Sequence, residues 1–94
     1  MGPIRAPHNL ARDEAKKAAA RIADSLQAEY GGSWKWVDDG VLQYQHHLLA
    51  GTLVIYPDTM ELAVNLGPTL RLFSGKVYQK ISREMTSKLE EAAE

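Results

Sequence analysis

The stretch Trp34-Lys35-Trp36-Val37-Asp38-Asp39-Gly40-Val41-Leu42-Gln43-Tyr44 leaves few folds open to this chain. Successive side chains of a strand point to opposite faces, so Trp34 and Trp36 share one face. Asp39-Gly40 follows, a pair that favours a tight hairpin turn because glycine accepts positive φ without strain. Leu42 and Tyr44 then resume the alternation. A hairpin at this place in 94 residues commits the middle of the chain to an antiparallel sheet. A chain of this length makes one domain, residues 1–94. It hides only roughly 60–65% of the surface that its unfolded form exposes, so its core is thin.

Residues 1–8 carry Pro3 and Pro7 and read as an extended arm. Asn9 is suited to cap a helix, since its side-chain oxygen can accept from a free first-turn amide. A first helix is predicted over 10–30, with Ala11, Ala15, Ala18, Ala19, Ile22, Leu26 and Tyr30 recurring at helical spacing. Its stripe is mostly alanine, which allows the backbone to lie close to a sheet. Gly31-Gly32 ends it, because glycine takes the left-handed conformation at a helix terminus. Four strands are predicted over 33–37, 41–46, 52–56 and 61–66. Connections of a few residues imply an antiparallel meander. One face collects Leu42, Tyr44, Leu53, Ile55, Leu62, Val64 and Leu66. The other is mixed, and its Val54 and Tyr56 suggest a covered patch. A second helix is predicted over 69–92, after Gly67-Pro68, with Leu70, Phe73, Val77, Ile81, Met85, Leu89 and Ala92 in one stripe. Gly75 within it suggests a tight contact, and the tail over 90–94 is expected to fray. The order α-β-β-β-β-α gives a two-layer α+β domain, a four-stranded antiparallel meander with both helices on one face.

Composition narrows the function. The net charge of -1 supplies no global field toward nucleic acid or anionic lipid. The chain has no cysteine, which excludes disulfides and thiolate zinc sites and fits a reducing, cytoplasmic setting. No apolar stretch approaches the ~20 residues of a membrane span, so no transmembrane segment is expected.

The residues that could carry chemistry are few. His8, His46 and His47 lack metal-ligand spacing, and neighbours in a strand face opposite ways, so His46 and His47 would not grip one metal. All three are expected at the surface or rim. Asp38 and Asp39 precede Gly40 in a turn, which accounts for both carboxylates. Ser74-Gly75 lacks the nucleophile-elbow pattern, and Gly31-Gly32 ends a helix where a phosphate loop would open one. No nucleophile–base set is present, so no enzyme, catalytic residue, metal or cofactor is expected. Stacking on bases would need a basic surround, and Lys35 is the one Lys or Arg in the predicted strands, so nucleic acid is not an expected partner. What remains is apolar contact. Trp34, Trp36, Val54 and Tyr56 in the sheet, and Leu72, Phe73, Lys76 and Lys80 on the second helix, are the candidate contact residues. Lys76, Lys80 and Arg83 form a basic stripe beside the apolar one, an arrangement that can lie on a water–apolar interface and more often belongs to a core-facing helix with snorkelling edges.

The pattern resembles the polyhydroxyalkanoic acid system proteins, small bacterial proteins encoded near polyhydroxyalkanoate synthesis and granule genes. The resemblance is carried by Ile4-Arg5, His8 and Leu10, by Glu14-Ala15, and by Trp34-Lys35-Trp36. Gly51-Thr52-Leu53, Glu61-Leu62, Leu66-Gly67, Phe73 and Gly75-Lys76 complete it. Pro68-Thr69 and His46-His47 depart from the family pattern. The resemblance implies no catalytic residues. It implies a genomic and cellular context and no mechanism. Taken with the apolar and basic stripes of the second helix, it gives the reading of a non-enzymatic, granule-associated accessory protein that meets the polyhydroxyalkanoate granule surface, a granule protein or an apolar acyl ligand. The alternative is a small homodimeric interaction domain, pairing through edge strands, with no direct polymer contact.

Overall fold

A computed structural model describes residues 3–93. The chain order is β1 (Ile4–Pro7), α1 (Arg12–Tyr30), β2 (Ser33–Asp38), β3 (Val41–Gln45), β4 (Leu49–Ile55), β5 (Thr59–Leu66), α2 (Pro68–Arg71) and α3 (Ser74–Ala93). The class is α+β, as the alternation and the two helical stripes require. The sheet, however, has five antiparallel strands in the order β1-β5-β4-β3-β2. The fifth comes from the N-terminal arm. Ile4 pairs with Leu62 and Ala6 with Met60, so the arm closes what would have been the free edge of β5. Its alternation is short, and Pro7 masks it, yet proline is tolerated at an edge strand because its missing N–H points away from the ladder.

The remaining strands form the expected meander. Trp34 lies opposite Tyr44 and Trp36 opposite Leu42, with a register shift between Trp36 and Asp38. Gly40, at φ 78°, makes the turn. Burial strictly alternates along β4, from Leu49 through Gly51 and Leu53 to Ile55. All fully buried strand residues fall on one face, and they join the buried residues of α1 and α3 in one cluster. The two long helices therefore cover a single face. α1 buries Ala15, Ala18, Ala19, Ile22, Ala23 and Leu26, the small side chains letting it approach α3 and the sheet. α3 buries Val77, Ile81, Met85 and Leu89, each worth about 1.5–3 kcal/mol when removed from water. The opposite sheet face, with Thr52, Val54 and Ala63, has no described element over it.

Several local expectations are corrected. Asn9 does not cap α1; Ala11 holds that position with no side-chain cap bond. The predicted second helix is broken in two. Pro68 starts a single turn, Leu70 and Phe73 amides bond back three residues (3.1 and 3.0 Å), and the helix restarts at Ser74. Three-residue turns advance each side chain by about 120° where an α-helix advances about 100°. The stripe goes out of phase, and Phe73 leaves the core. Gly75 makes no tight contact, since a Cβ there would meet nothing within 4 Å. α3 continues through Ala93, so the predicted frayed end is helical up to that residue; Glu94 lies outside the described residues.

Candidate functional site

All long elements run between two ends of the molecule. At one end, the first turn of α1 meets the β2–β3 turn: Arg12 Nε and Nη2 donate to Asp39 Oδ2 at 3.2 and 2.8 Å. Lys16 pairs with the same carboxylate. The ammonium of Lys16 first, and the guanidinium of Arg12 next, hold the Asp39 carboxyl below the usual carboxylate range. At the other end, the last turn of α1 meets the β3–β4 turn. The Tyr44 hydroxyl donates to the Gly31 carbonyl. Burial, and then Tyr30 beside it, push the Tyr44 phenol above its ordinary value.

The sequence-predicted contact residues do not share one surface. Trp34 and Trp36 lie on the helix side of the edge strand β2, in edge-to-face contact with ring centroids 6.2 Å apart. Trp34 Nε1 donates to Asp24 Oδ1 of α1 at 2.9 Å, and the Lys16 ammonium stands 5.9 Å from the Trp36 ring centre. Both tryptophans thus tie β2 to α1. Val54 sits mid-sheet on the uncovered face, between Val41 and Glu61. Tyr56 is exposed in the β4–β5 turn, at the Asp39 end. Leu72, Phe73, Lys76 and Lys80 gather at the opposite end.

That end is where the apolar exposure is greatest. Leu72 is 84% exposed and Phe73 54%, side by side at the α2–α3 corner. Lys76 follows one turn later and makes no ion pair among the described residues. Lys80 pairs with Glu29 at the end of α1. Arg71 Nε donates to the Leu66 carbonyl at 3.1 Å, which fixes its stem beside the corner. The Gly67 amide donates to the Leu48 carbonyl at 2.8 Å, docking the corner on the β3–β4 turn. There His46 and His47 lie with ring centres 4.2 Å apart, because both sit in the turn and not in a strand. Sequence reasoning missed how one-sided the charge is. No Asp or Glu occurs between Glu61 and Glu84, while Arg71, Lys76, Lys80 and Arg83 all fall there. A running count of charge along the chain would have found it.

His8, expected at the surface or rim, is only 8% exposed. Its Nε2–H donates to the Tyr56 and Thr59 carbonyls at 2.9 and 3.2 Å, and its Nδ1 accepts from the Leu10 amide at 3.1 Å. Both ring nitrogens are thereby occupied: Nε2 joins the end of β1 to the β4–β5 turn, and Nδ1 fixes the local chain at Leu10. Among the described residues, no group of three or more His, Cys, Asp or Glu could hold a metal. An open cleft of about 300 Å³ lies beside His8, between Leu10 and Tyr56. Another of about 440 Å³ lies between α1 and Trp36. No described helix is long and apolar enough to cross a membrane.

The sequence profile of one family, described as "Putative polyhydroxyalkanoic acid system protein", matches residues 3–89. The chain belongs to this family. No curated protein and no solved structure matches it. Family membership thus places the protein with the polyhydroxyalkanoic acid system, while the five-stranded sheet extends the expected four-stranded architecture.

Proposed function

We propose that this protein is a non-enzymatic accessory factor of polyhydroxyalkanoate storage that docks on the cytoplasmic storage granule through the α2–α3 corner. The observation that carries this reading is the pair Leu72 and Phe73, adjacent and 84% and 54% exposed in a chain that otherwise buries its helical stripes. Single exposed apolar residues are ordinary, but a contiguous apolar projection marks a contact site. Family membership in the polyhydroxyalkanoic acid system supports this choice of partner. Such high exposure suits insertion into a broad surface better than enclosure of a small acyl molecule. The test is a tagged protein in a polymer-accumulating bacterium, compared with the Leu72→Ser/Phe73→Ser variant. The parent should ring stained granules and the variant should spread through the cytoplasm. A parent that stays diffuse beside granules overturns the reading.

A second reading is favoured by β2. It is a six-residue strand with its outer edge unpaired, and Val37 on it is 49% exposed. Two copies could pair there antiparallel and continue the sheet. The other edge, β1, has four residues and ends in Pro7, which suits it less. Light scattering at micromolar concentration decides, because a strict monomer removes this reading.

A further inference from the structure

We infer that the α2–α3 corner is built for an anionic phospholipid surface, into which Leu72 and Phe73 insert while basic side chains around them meet the headgroups. The inference deepens the granule reading, on which it rests for biological place, by naming the chemistry of the layer that is met. An apolar pair alone would suit any apolar phase. The charge pattern selects among them. The window from Leu62 to Arg83 holds four of the 11 Lys and Arg residues and none of the 12 Asp and Glu residues. The chain as a whole carries -1, so the remainder is net acidic.

The fold turns this linear bias into a spatial one. The acids Asp38, Asp39 and Asp58 lie in the turns at the far end, with Asp13 and Glu14 in the first turn of α1. Near the corner, Glu29 is taken up by Lys80. Arg71 and Lys76 flank Leu72 and Phe73 directly in sequence and along the helix. The molecule measures 37 × 23 × 22 Å, so its acidic end stands farther from a surface met by the corner than the Debye length of about 8 Å at physiological salt. Attraction at the corner is then little opposed by repulsion from the far end. An uncharged polymer or a neutral lipid face would leave Arg71, Lys76 and Arg83 without an acidic counterpart, Lys80 being paired with Glu29.

The probe is sedimentation with mixed phosphatidylglycerol–phosphatidylcholine vesicles against pure phosphatidylcholine vesicles. The wild-type protein should bind the anionic vesicles, and release them as salt approaches about 1 M, where the Debye length falls to about 3 Å. Lys76→Glu should weaken binding about 30-fold, since each charge near such a surface is worth about 1 kcal/mol and two units are lost. Leu72→Ser/Phe73→Ser should weaken it at least about 100-fold through lost apolar transfer. The salt titration needs no variant, and circular dichroism checks that the exposed substitutions leave the fold intact. Equal binding to both vesicle types, or binding indifferent to salt, overturns the inference. Failure to bind either vesicle, with the cellular signal still on granules, also overturns it and leaves the granule reading standing. Intact lipid binding with a diffuse cellular signal overturns the granule reading alone.

Discussion

Replacing His8 with Phe should cost this small domain roughly 2–3 kcal/mol. The benzene ring keeps most of the imidazole volume, so packing changes little. Three hydrogen bonds disappear. The Thr59 carbonyl retains the Tyr56 amide at 2.8 Å. The Tyr56 carbonyl and the Leu10 amide are left bare. Each unsatisfied group of this kind costs about 1–3 kcal/mol, and water reaching them from the neighbouring open cleft keeps the sum toward the lower part of that range. Total stability for 94 residues is of the order of 5–14 kcal/mol, so the loss is a large share. At about 4–8 °C per kcal/mol, the melting temperature should fall by roughly 10–20 °C. In urea, with a slope of about 1–3 kcal/mol per M, the midpoint should fall by roughly 1–2 M at unchanged slope. Trp34 and Trp36 report the transition by fluorescence from the opposite sheet edge, so the signal reads global unfolding. His8→Ala should be worse still, because it adds the lost ring contacts. A His8→Phe variant within about 0.5 kcal/mol of the parent, the usual scatter of a surface substitution, would show that the ring bonds do not hold β1 to the sheet.

Gly75→Ala should stabilise by about 0.5–1 kcal/mol in urea titration, since the helix gains propensity and the new Cβ meets nothing. Gly32→Ala should destabilise by about 2 kcal/mol or more, because φ is +89° and the new Cβ would stand 2.9 Å from His46 Cβ. The raised phenols of Tyr44 and Tyr30 set the alkaline limit. Their contribution is complete below the ordinary tyrosine value of about 10 and is lost as pH rises through the higher folded-state values; a Tyr44→Phe variant should show a flatter alkaline limb in stability measured against pH. Asp39 works in the opposite direction: its stabilising pairing is present above the ordinary carboxylate value of about 3.9 and is lost as pH falls through its lowered value, so Asp39→Asn should soften only the acid limb.

Much of the architecture is legible in local patterns. The Trp34–Tyr44 hairpin is specified by alternation and by one glycine turn, both properties of a few adjacent residues. The alanine stripe of α1 and the larger stripe over Val77, Ile81, Met85 and Leu89 likewise declare their buried faces. The fifth strand is not legible because its partner is over fifty residues away, and four residues give too short an alternation to recognise. The break before α3 is hidden for a different reason. Leu70 and Phe73 keep helical spacing in the sequence, while the three-residue bonds that rotate Phe73 outward depend on how Pro68 leaves β5. His8 reads as a solvent-facing histidine because nothing nearby in sequence supplies its carbonyl partners; the β4–β5 turn does. Of the candidate contact residues, Leu72, Phe73, Lys76 and Lys80 come together at the α2–α3 corner, a proximity that their spacing in the sequence already implies. Residue type alone groups Trp34, Trp36 and Tyr56, and the fold separates them, with the tryptophans tied to α1 from β2 and Tyr56 exposed in the β4–β5 turn.

The pairing of β1 with β5 has a consequence for how the chain is made. Ile4 leaves the ribosome early, but its mate Leu62 follows more than fifty residues later. During synthesis the hairpins from β2 to β4 can zip as they emerge, whereas the leading segment must wait, its apolar Ile4 unburied. Only when the final strand of the meander has cleared the tunnel can β1 find its partner, so a pause before Thr59 would prolong the interval in which chaperones have something to hold.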